Sequence, residues 1–443
     1  MVAYRAGVPV LVSQFLADVR HLARAFPKCT HVLNACTDRY HFAVGFAAAL
    51  LSDRVSLLPS SQAPEMMRQL GAFAPQVICL TDEADSSIAL PRMAYPREPD
   101  ASDAQDAASP ARANNVPQVD AAKLAAYVFT SGSTGTPLPY RKSFGPLVGC
   151  VREAARRLDL AGSQRWAIVA TVPPQHMYGF EASVLLALGN GHALCSERPF
   201  YPADIADALE RVPRPRALVS TPVHLRALLG SGVALPAVDL VLCSTAPLAR
   251  QLAAETERRF DTRLLEIYGS TETGQIAVRR PSHTAEWRLW PGVSLELEGE
   301  TSVARGGHIE QPTILPDVLE MTGPESFLLH GRVSDLVNIA GKRSSLAYLN
   351  HQLNSIPGVE DGAFFHAEEP RGSHTGVARV AACVVAPALD AARLLEALRE
   401  RIDAVFLPRP LLFVARLPRN GTGKLPLAAL RTLAAQAKSA TPV

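Results

Sequence analysis

Through its first half the chain alternates short apolar runs with helical patterns, and that alternation limits the folds open to it. His31-Val32-Leu33-Asn34-Ala35 reads as a strand and Tyr40 to Leu51 as an alanine-rich helix. Val77-Ile78-Cys79-Leu80 is the next strand, ending at the polar Thr81-Asp82-Glu83. Trp166 to Thr171 precedes a helix near Glu181 to Leu188, and Ala217-Leu218-Val219-Ser220 precedes a helix from Pro222. Parallel strands need a crossover between them, usually a helix, so this order predicts an α/β layer architecture with mainly parallel sheets. A further amphipathic helix opens at Ser13, with Phe15, Leu16, Val19, Leu22 and Phe26 at helical spacing.

At 443 residues the chain is too long for one ordinary core, so at least two domains are expected. Arg97 to Asp120 is poor in apolar residues and dense in Asp, Ala, Ser and Pro, which predicts a mobile polar connection over 97–120. Gly331 to Gly341 is the second boundary. Beyond it a helix near Leu346 to Leu353, strands near Gly362 to His366 and Val380 to Val385, a helix around Ala391 to Val405 and a strand at Leu411 to Val414 make a smaller α+β pattern. The expected organisation is a large N-terminal domain, 1–332, and a small mobile α+β domain, 333–443.

Composition excludes several partners. With 19% charged residues and a net charge of +2, nothing suggests nucleic acid or an anionic membrane. The seven cysteines are scattered with no C-x-x-C pair, which favours a reducing cytoplasm over a disulfide framework or a structural zinc. No signal-peptide pattern opens the chain, and no run reaches the ~18 apolar residues of a membrane span. Of 44 basic residues only six are lysines, so a lysine in a polar loop is worth attention.

The buried strand Ala126-Tyr127-Val128-Phe129 runs into Thr130-Ser131-Gly132-Ser133-Thr134-Gly135. Four hydroxyls and two glycines let backbone N–H groups approach an anion while the hydroxyls contact its oxygens. An ordinary Ser/Gly turn after a strand has the same appearance. A Walker A loop is excluded, because no Gly-Lys-[Ser/Thr] follows at the needed spacing.

Other segments fit the same scheme, in order along nearly the whole chain. They are Pro173-Pro174-Gln175-His176-Met177-Tyr178-Gly179, Ser244-Thr245-Ala246-Pro247-Leu248, Tyr268-Gly269-Ser270-Thr271-Glu272-Thr273-Gly274, Asp317, Gly331-Arg332, Gly341-Lys342-Arg343 and Leu417-Pro418-Arg419-Asn420-Gly421-Thr422-Gly423-Lys424. Together with the Thr130–Gly135 loop, these resemble the motifs of the adenylate-forming, AMP-binding superfamily of acyl-CoA synthetases, acyl and aryl ligases, luciferases and peptide-synthetase adenylation domains. The resemblance implies ATP and Mg2+ as cofactors. Thr130, Ser131, Gly132, Ser133, Thr134 and Gly135 would hold phosphate, and Thr245, Ala246, Tyr268, Gly269, Ser270, Thr271, Asp317 and Arg332 the rest of the nucleotide. Glu272 would bind the metal. Lys424 would bridge the substrate carboxylate and the ribose–phosphate oxygens, with Thr134 and Glu272 sharing the catalytic site. His176, Met177, Phe180 and Gly269 would line the acyl route. Ser334 would belong to the hinge, and Gly341 would give a pantetheine arm room.

The pattern also departs from the family's. The phosphate loop lacks the lysine expected after its proline, reading Pro137-Leu138-Pro139-Tyr140-Arg141-Lys142, so Lys142 or Arg141 is left as the substitute. Ser334 stands where the hinge has a charged residue, and the stretch from Glu272 to Asp317 is short. These traits resemble compact ligases of aryl-polyene and xanthomonadin-type pigment pathways. The implied reaction is activation of an aryl or fatty acid to an acyl-adenylate. Transfer to the phosphopantetheine thiol of an acyl carrier protein or CoA, acting in trans, would follow. A stand-alone amino-acid adenylating enzyme is the alternative, with Glu181 as the anchor for an amino group.

Overall fold

In the computed structural model of the chain, the described residues are 1–59, 61–96, 116–130, 138–298, 301–332, 335–339, 342–366, 379–419 and 425–440. The expected α/β layering is present as two large sheets with helices between and around them. One sheet orders its strands Arg92–Ala94, Val77–Thr81, His31–Asn34, Val55–Leu58, Leu124–Thr130 and Leu138–Ser143. All its neighbours run parallel except the last pair, which is antiparallel.

The second sheet has eleven strands. At its centre Arg263–Ser270, Leu240–Cys243, Arg216–Ser220, Ala167–Ala170, Ala193–Cys195 and Ala3–Arg5 are parallel neighbours. An antiparallel extension, Gly274–Arg279, Trp287–Leu289, Ser326–Arg332 and Asp317–Gly323, continues one side, and Val8–Val10 closes the other. The strands of the extension are short hairpin partners that carry no crossover signal, and the sequence analysis did not anticipate them.

The helix Arg39–Leu51 lies between the two sheets. Asp38 caps it by accepting from the Tyr40 and His41 amides, and it has no polar face, as a helix covered on both sides requires. It shares one core with Phe144–Arg157, Phe180 and strands of both sheets. The helix expected near Glu181 to Leu188 begins earlier and is irregular. It runs Met177–Gly179, widens into a π-helix over Phe180–Leu185, and ends Leu186–Asn190 before Gly191 at φ 71°. Such π turns insert a residue into the helical ladder and are frequent at functional sites.

The smaller C-terminal unit has separate apolar clusters. One gathers Leu349, Leu353, Phe364, Val384, Leu394 and Phe406. A second lies under Leu427–Ala440, a helix the sequence did not signal. The helix expected around Ala391 to Val405 stops at Arg399, and a 3-10 turn, Ala404–Phe406, follows. Asp403 makes the break, because its carboxylate accepts from the Val405 amide and competes with helical hydrogen bonding. Among the described residues, no helix is long and apolar enough to cross a membrane.

Candidate active site

The strand Leu124–Thr130 pairs with Leu138–Ser143 so that Thr130 faces Leu138 at the mouth of the hairpin. Ser131, Gly132, Ser133, Thr134 and Gly135, expected to hold phosphate, lie outside the described residues. Their stem is informative nonetheless. Tyr140, on the return strand, feels the charge of Glu272 in the turn after Arg263–Ser270. Burial, followed by that charge, raises the Tyr140 pKa, so this hydroxyl stays protonated.

That turn is built from its own side chains. Ser270 and Thr273 exchange hydrogen bonds, with Thr273 Oγ1 accepting from the Ser270 amide at 3.2 Å and Ser270 Oγ from the Thr273 amide at 3.1 Å. Gly269 is close-packed against the returning strand, since a Cβ there would come within 2.2 Å of the Gly274 carbonyl oxygen. Thr271 and Glu272 stand half-buried at the crest.

The residues expected around the nucleotide's base and ribose also converge. Tyr268 donates to Asp317 Oδ2 at 2.7 Å, and Asp317 is the cross-strand partner of Arg332. Beside them, the Ser244–Leu248 turn puts Thr245 at φ 83°. A β-branched residue pays on the order of 1–3 kcal/mol for that conformation, so its surroundings must hold it. Ser244 Oγ donates to the Ile267 carbonyl at 2.8 Å, and the Leu248 amide donates to Glu266 Oε1 at 3.0 Å. Buried Glu266 is in turn matched by Arg279 Nε at 2.7 Å. Ala246 is half-buried on the same turn.

On the acyl side, His176 caps the start of the irregular helix and is half-buried, and Met177 follows it into the core. Phe180 is placed otherwise than expected. Its ring is fully buried, 4.9 Å from the Phe46 ring and 6.0 Å from that of Phe42, so it packs the interlayer core rather than lining a route. Arg39, which lies in none of the motifs, supports this region from below. Wholly buried, it donates from Nη2 to the carbonyls of Ala170 and Val172 at 2.7 and 3.0 Å, and from Nη1 to Ser183 Oγ at 2.9 Å.

Lys142, one of the two cations left to stand in for the absent loop lysine, is buried within the hairpin stem. It pairs with Ala126, four strand positions below the hairpin mouth, and donates to the Glu272 carbonyl at 2.7 Å. Arg141 points to the opposite, exposed side. Glu181, the amino-group anchor of the amino-acid alternative, is also committed elsewhere. It is 2% exposed, and its Oε2 accepts from the Gln275 amide at 3.1 Å.

Lys424, Ser334 and Gly341 lie outside the described residues. Just before Lys424's loop, Arg419 grips Asp361 with two parallel hydrogen bonds of 2.7 Å, which ties the motif to the strand Asp361–His366. Lys342, beside Gly341, is paired with Asp403.

Among the described residues, no cluster of three His, Cys, Asp or Glu could cage a metal. Glu272 with its neighbouring hydroxyls is a hard-oxygen donor set that fits magnesium. That ion is usually held by one or two carboxylates together with substrate phosphates. Tyr140, Glu266, Arg39 and His308 were missed by the sequence analysis. None lies in a motif, and only their registers and long-range contacts disclose them.

Comparison with known proteins names the class of this chain. A family model described as "AMP-binding enzyme" matches residues 13–301. The chain belongs to the AMP-binding enzyme family. A 4-coumarate–CoA ligase of Rhodobacter capsulatus is 32% identical over 299 residues, covering 67% of this chain and 73% of that protein. A feruloyl-CoA synthase of Amycolatopsis is 26% identical over 341 residues, covering 67% of each. In fold, ATP-bound MatB of Rhodopseudomonas palustris is similar with a TM-score of 0.80 at 19% identity, over 98% of this chain and 95% of that one. O-succinylbenzoate CoA synthetase of Bacillus subtilis in complex with AMP has a TM-score of 0.77 at 17% identity, over 98% and 94%.

Proposed function

We propose that the chain joins a carboxylic acid, an aryl acid foremost, to the thiol of CoA in two steps that consume ATP. In the first, a carboxylate oxygen attacks the α-phosphorus, the bond to the bridging oxygen breaks, and pyrophosphate leaves. In the second, the thiol sulfur attacks the acyl carbon, the acyl–phosphate bond breaks, AMP leaves, and the thiol proton passes to solvent. The observation that carries the reading is the 2.7 Å hydrogen bond from Tyr268 to Asp317, which brings together the two residues expected at adenine and ribose. The aryl-acid and CoA assignments are supported by the relatives, which bear the names of 4-coumarate and feruloyl CoA ligases.

Two anions must meet in the first step, so placement and positive charge matter more than acid–base catalysis. Magnesium at Glu272 would neutralise phosphate charge. The Thr130–Gly135 backbone and hydroxyls would cradle the phosphates. Tyr268 would lie against adenine, and Asp317, held by the Tyr268 hydroxyl, would accept from the ribose. Lys424 would be delivered by the Arg419-anchored loop of the 333–443 domain, with Ser334 and Gly341 serving rotation and the pantetheine arm.

A carrier-protein thiol is the other acceptor. Its support is the motif likeness to pigment-pathway ligases, and the CoA names of the relatives weigh against it. The amino-acid reading loses its anchor because Glu181 is occupied beneath the turn. The test is ATP–pyrophosphate exchange over a panel of aryl, fatty and amino acids, followed by thioester formation with CoA and with carrier protein. Exchange with aryl acids that falls by at least about a hundredfold in Lys424→Ala is expected, the size of loss typical when an electrostatic catalytic group is removed. Exchange confined to amino acids, or undiminished in that variant, would refute the assignment.

A further inference from the structure

Beneath the Ser270–Gly274 turn lies a set of ionisable side chains to which the adenylation chemistry assigns no part. Lys142 is 8% exposed and Glu181 2% exposed, and Glu181 is the strongest opposite charge acting on Lys142. Cys150 and His308 complete the set. Each of the four reaches the backbone of the turn and its outgoing strand. Lys142 Nζ donates to the Glu272 carbonyl at 2.7 Å, and His308 Nε2 donates to the Thr273 carbonyl at 3.0 Å. The Gln275 amide donates to Glu181 Oε2 at 3.1 Å, and Cys150 Sγ lies 3.6 Å from both the Gln275 carbonyl and Glu181 Oε1. Glu181 Oε1 fills the space beside Gly274 so fully that a Cβ there would stand 2.5 Å from it.

These four side chains come from four separate elements: the strand Leu138–Ser143, the π-helix, Phe144–Arg157 and the segment after Thr301–Gly306. A buried cation and carboxylate are poor stabilisers, since apolar replacements of similar volume are often as stable or more so. Their value here is directional. Tyr140 and Lys142 are two apart on one strand and so project from the same face. Lys142 meets the Glu272 carbonyl, and Tyr140 lies within reach of the Glu272 charge.

We propose that Lys142 is a positioning residue for the adenylation site. It locks the main chain of Glu272 to the return strand of the phosphate-loop hairpin, so that the stem of that hairpin and the metal-binding carboxylate keep a fixed separation. Lys142 touches no substrate; it acts through Glu272. The inference rests on the reading of Glu272 as the residue that meets the nucleotide's magnesium.

The test uses the full chain. Amide hydrogen exchange over residues 271–275, MgATP binding by calorimetry and metal-free AMP binding are compared for wild type, Lys142→Met and Lys142→Arg. In Lys142→Met the amides are expected to exchange about tenfold faster and MgATP to bind about tenfold more weakly, the size of one lost charge-assisted hydrogen bond, with AMP binding held within about twofold. Lys142→Arg should recover part of both. If Lys142→Met does not melt cooperatively, the double variant Lys142→Gln/Glu181→Gln, which removes both charges together, carries the same comparison. Unchanged protection of 271–275 overturns the proposal, even with weaker MgATP binding, because Lys142 would then act by charge alone. A wild-type chain that binds no nucleotide overturns the adenylation reading, and the purpose of the clamp with it, whatever the amides do.

Discussion

His308 shows how a single half-buried side chain ties the site to solution conditions. Burial, followed by the Lys142 charge, lowers its pKa from the usual 6.5 to about 4, so the folded chain holds it neutral at pH 7. In the unfolded chain it takes a proton near its ordinary value. The folded pKa is the lower one, so its contribution is complete above pH 6.5 and is lost as pH falls from there towards 4. The loss reaches at most about 3 kcal/mol. Urea titrations between pH 7.5 and 4 should therefore show a steeper decline for the wild type than for His308→Gln. Parallel declines would show that this histidine is not held neutral by the fold.

At the scale of elements, turns and the strands they join explain the site better than any single residue. Gly269 and Gly179 each sit where another backbone passes too close for a side chain. A Cβ at Gly179 would stand 2.0 Å from the Pro173 carbonyl oxygen, and one at Gly269 would stand 2.2 Å from that of Gly274. Gly269→Ala should force the hairpin open and raise the KM for ATP at least about tenfold. Gly179→Ala should shift the His176 segment and act mainly on the KM for the acid. Steady-state kinetics with each substrate varied in turn separates the two, and equal effects on both constants would contradict the assignment.

The sequence marked Tyr268, Glu272 and Thr245 because each lies in a short contiguous motif. Tyr140 and Lys142 were visible only as a departure from a pattern. Their role depends on strand register and on a turn over a hundred residues away, which local spacing does not encode. Phe180 was misplaced for a related reason: membership of a substrate-side segment does not fix which way a ring faces on an irregular helix.

For the whole molecule, the α/β layering was legible because crossover helices alternate with apolar strands along the chain. The antiparallel extension of the large sheet was not, since its short hairpins carry no comparable period. Arg39 joins the layers at their centre, where its guanidinium binds two carbonyls and a hydroxyl. Arg39→Met would strand those three acceptors in the core. Global stability should fall by about 3–5 kcal/mol, read as the midpoint of urea unfolding. A loss below about 1 kcal/mol would mean that the layers close over the gap without it.

The pairing of Ala3 with Leu194 has a bearing on the order of assembly. The opening strand, already paired with Val8–Val10 on one side, finds its second neighbour only after the whole smaller sheet and its helices have been synthesised. Until then that second edge is open to other chains. Pro9 in the flanking strand Val8–Val10 removes one backbone donor from that border, which discourages stray pairing both before and after the sheet is complete. The interval between making the first strand and placing it is thus a window in which a nascent chain is most open to chaperones, and most exposed to its own copies.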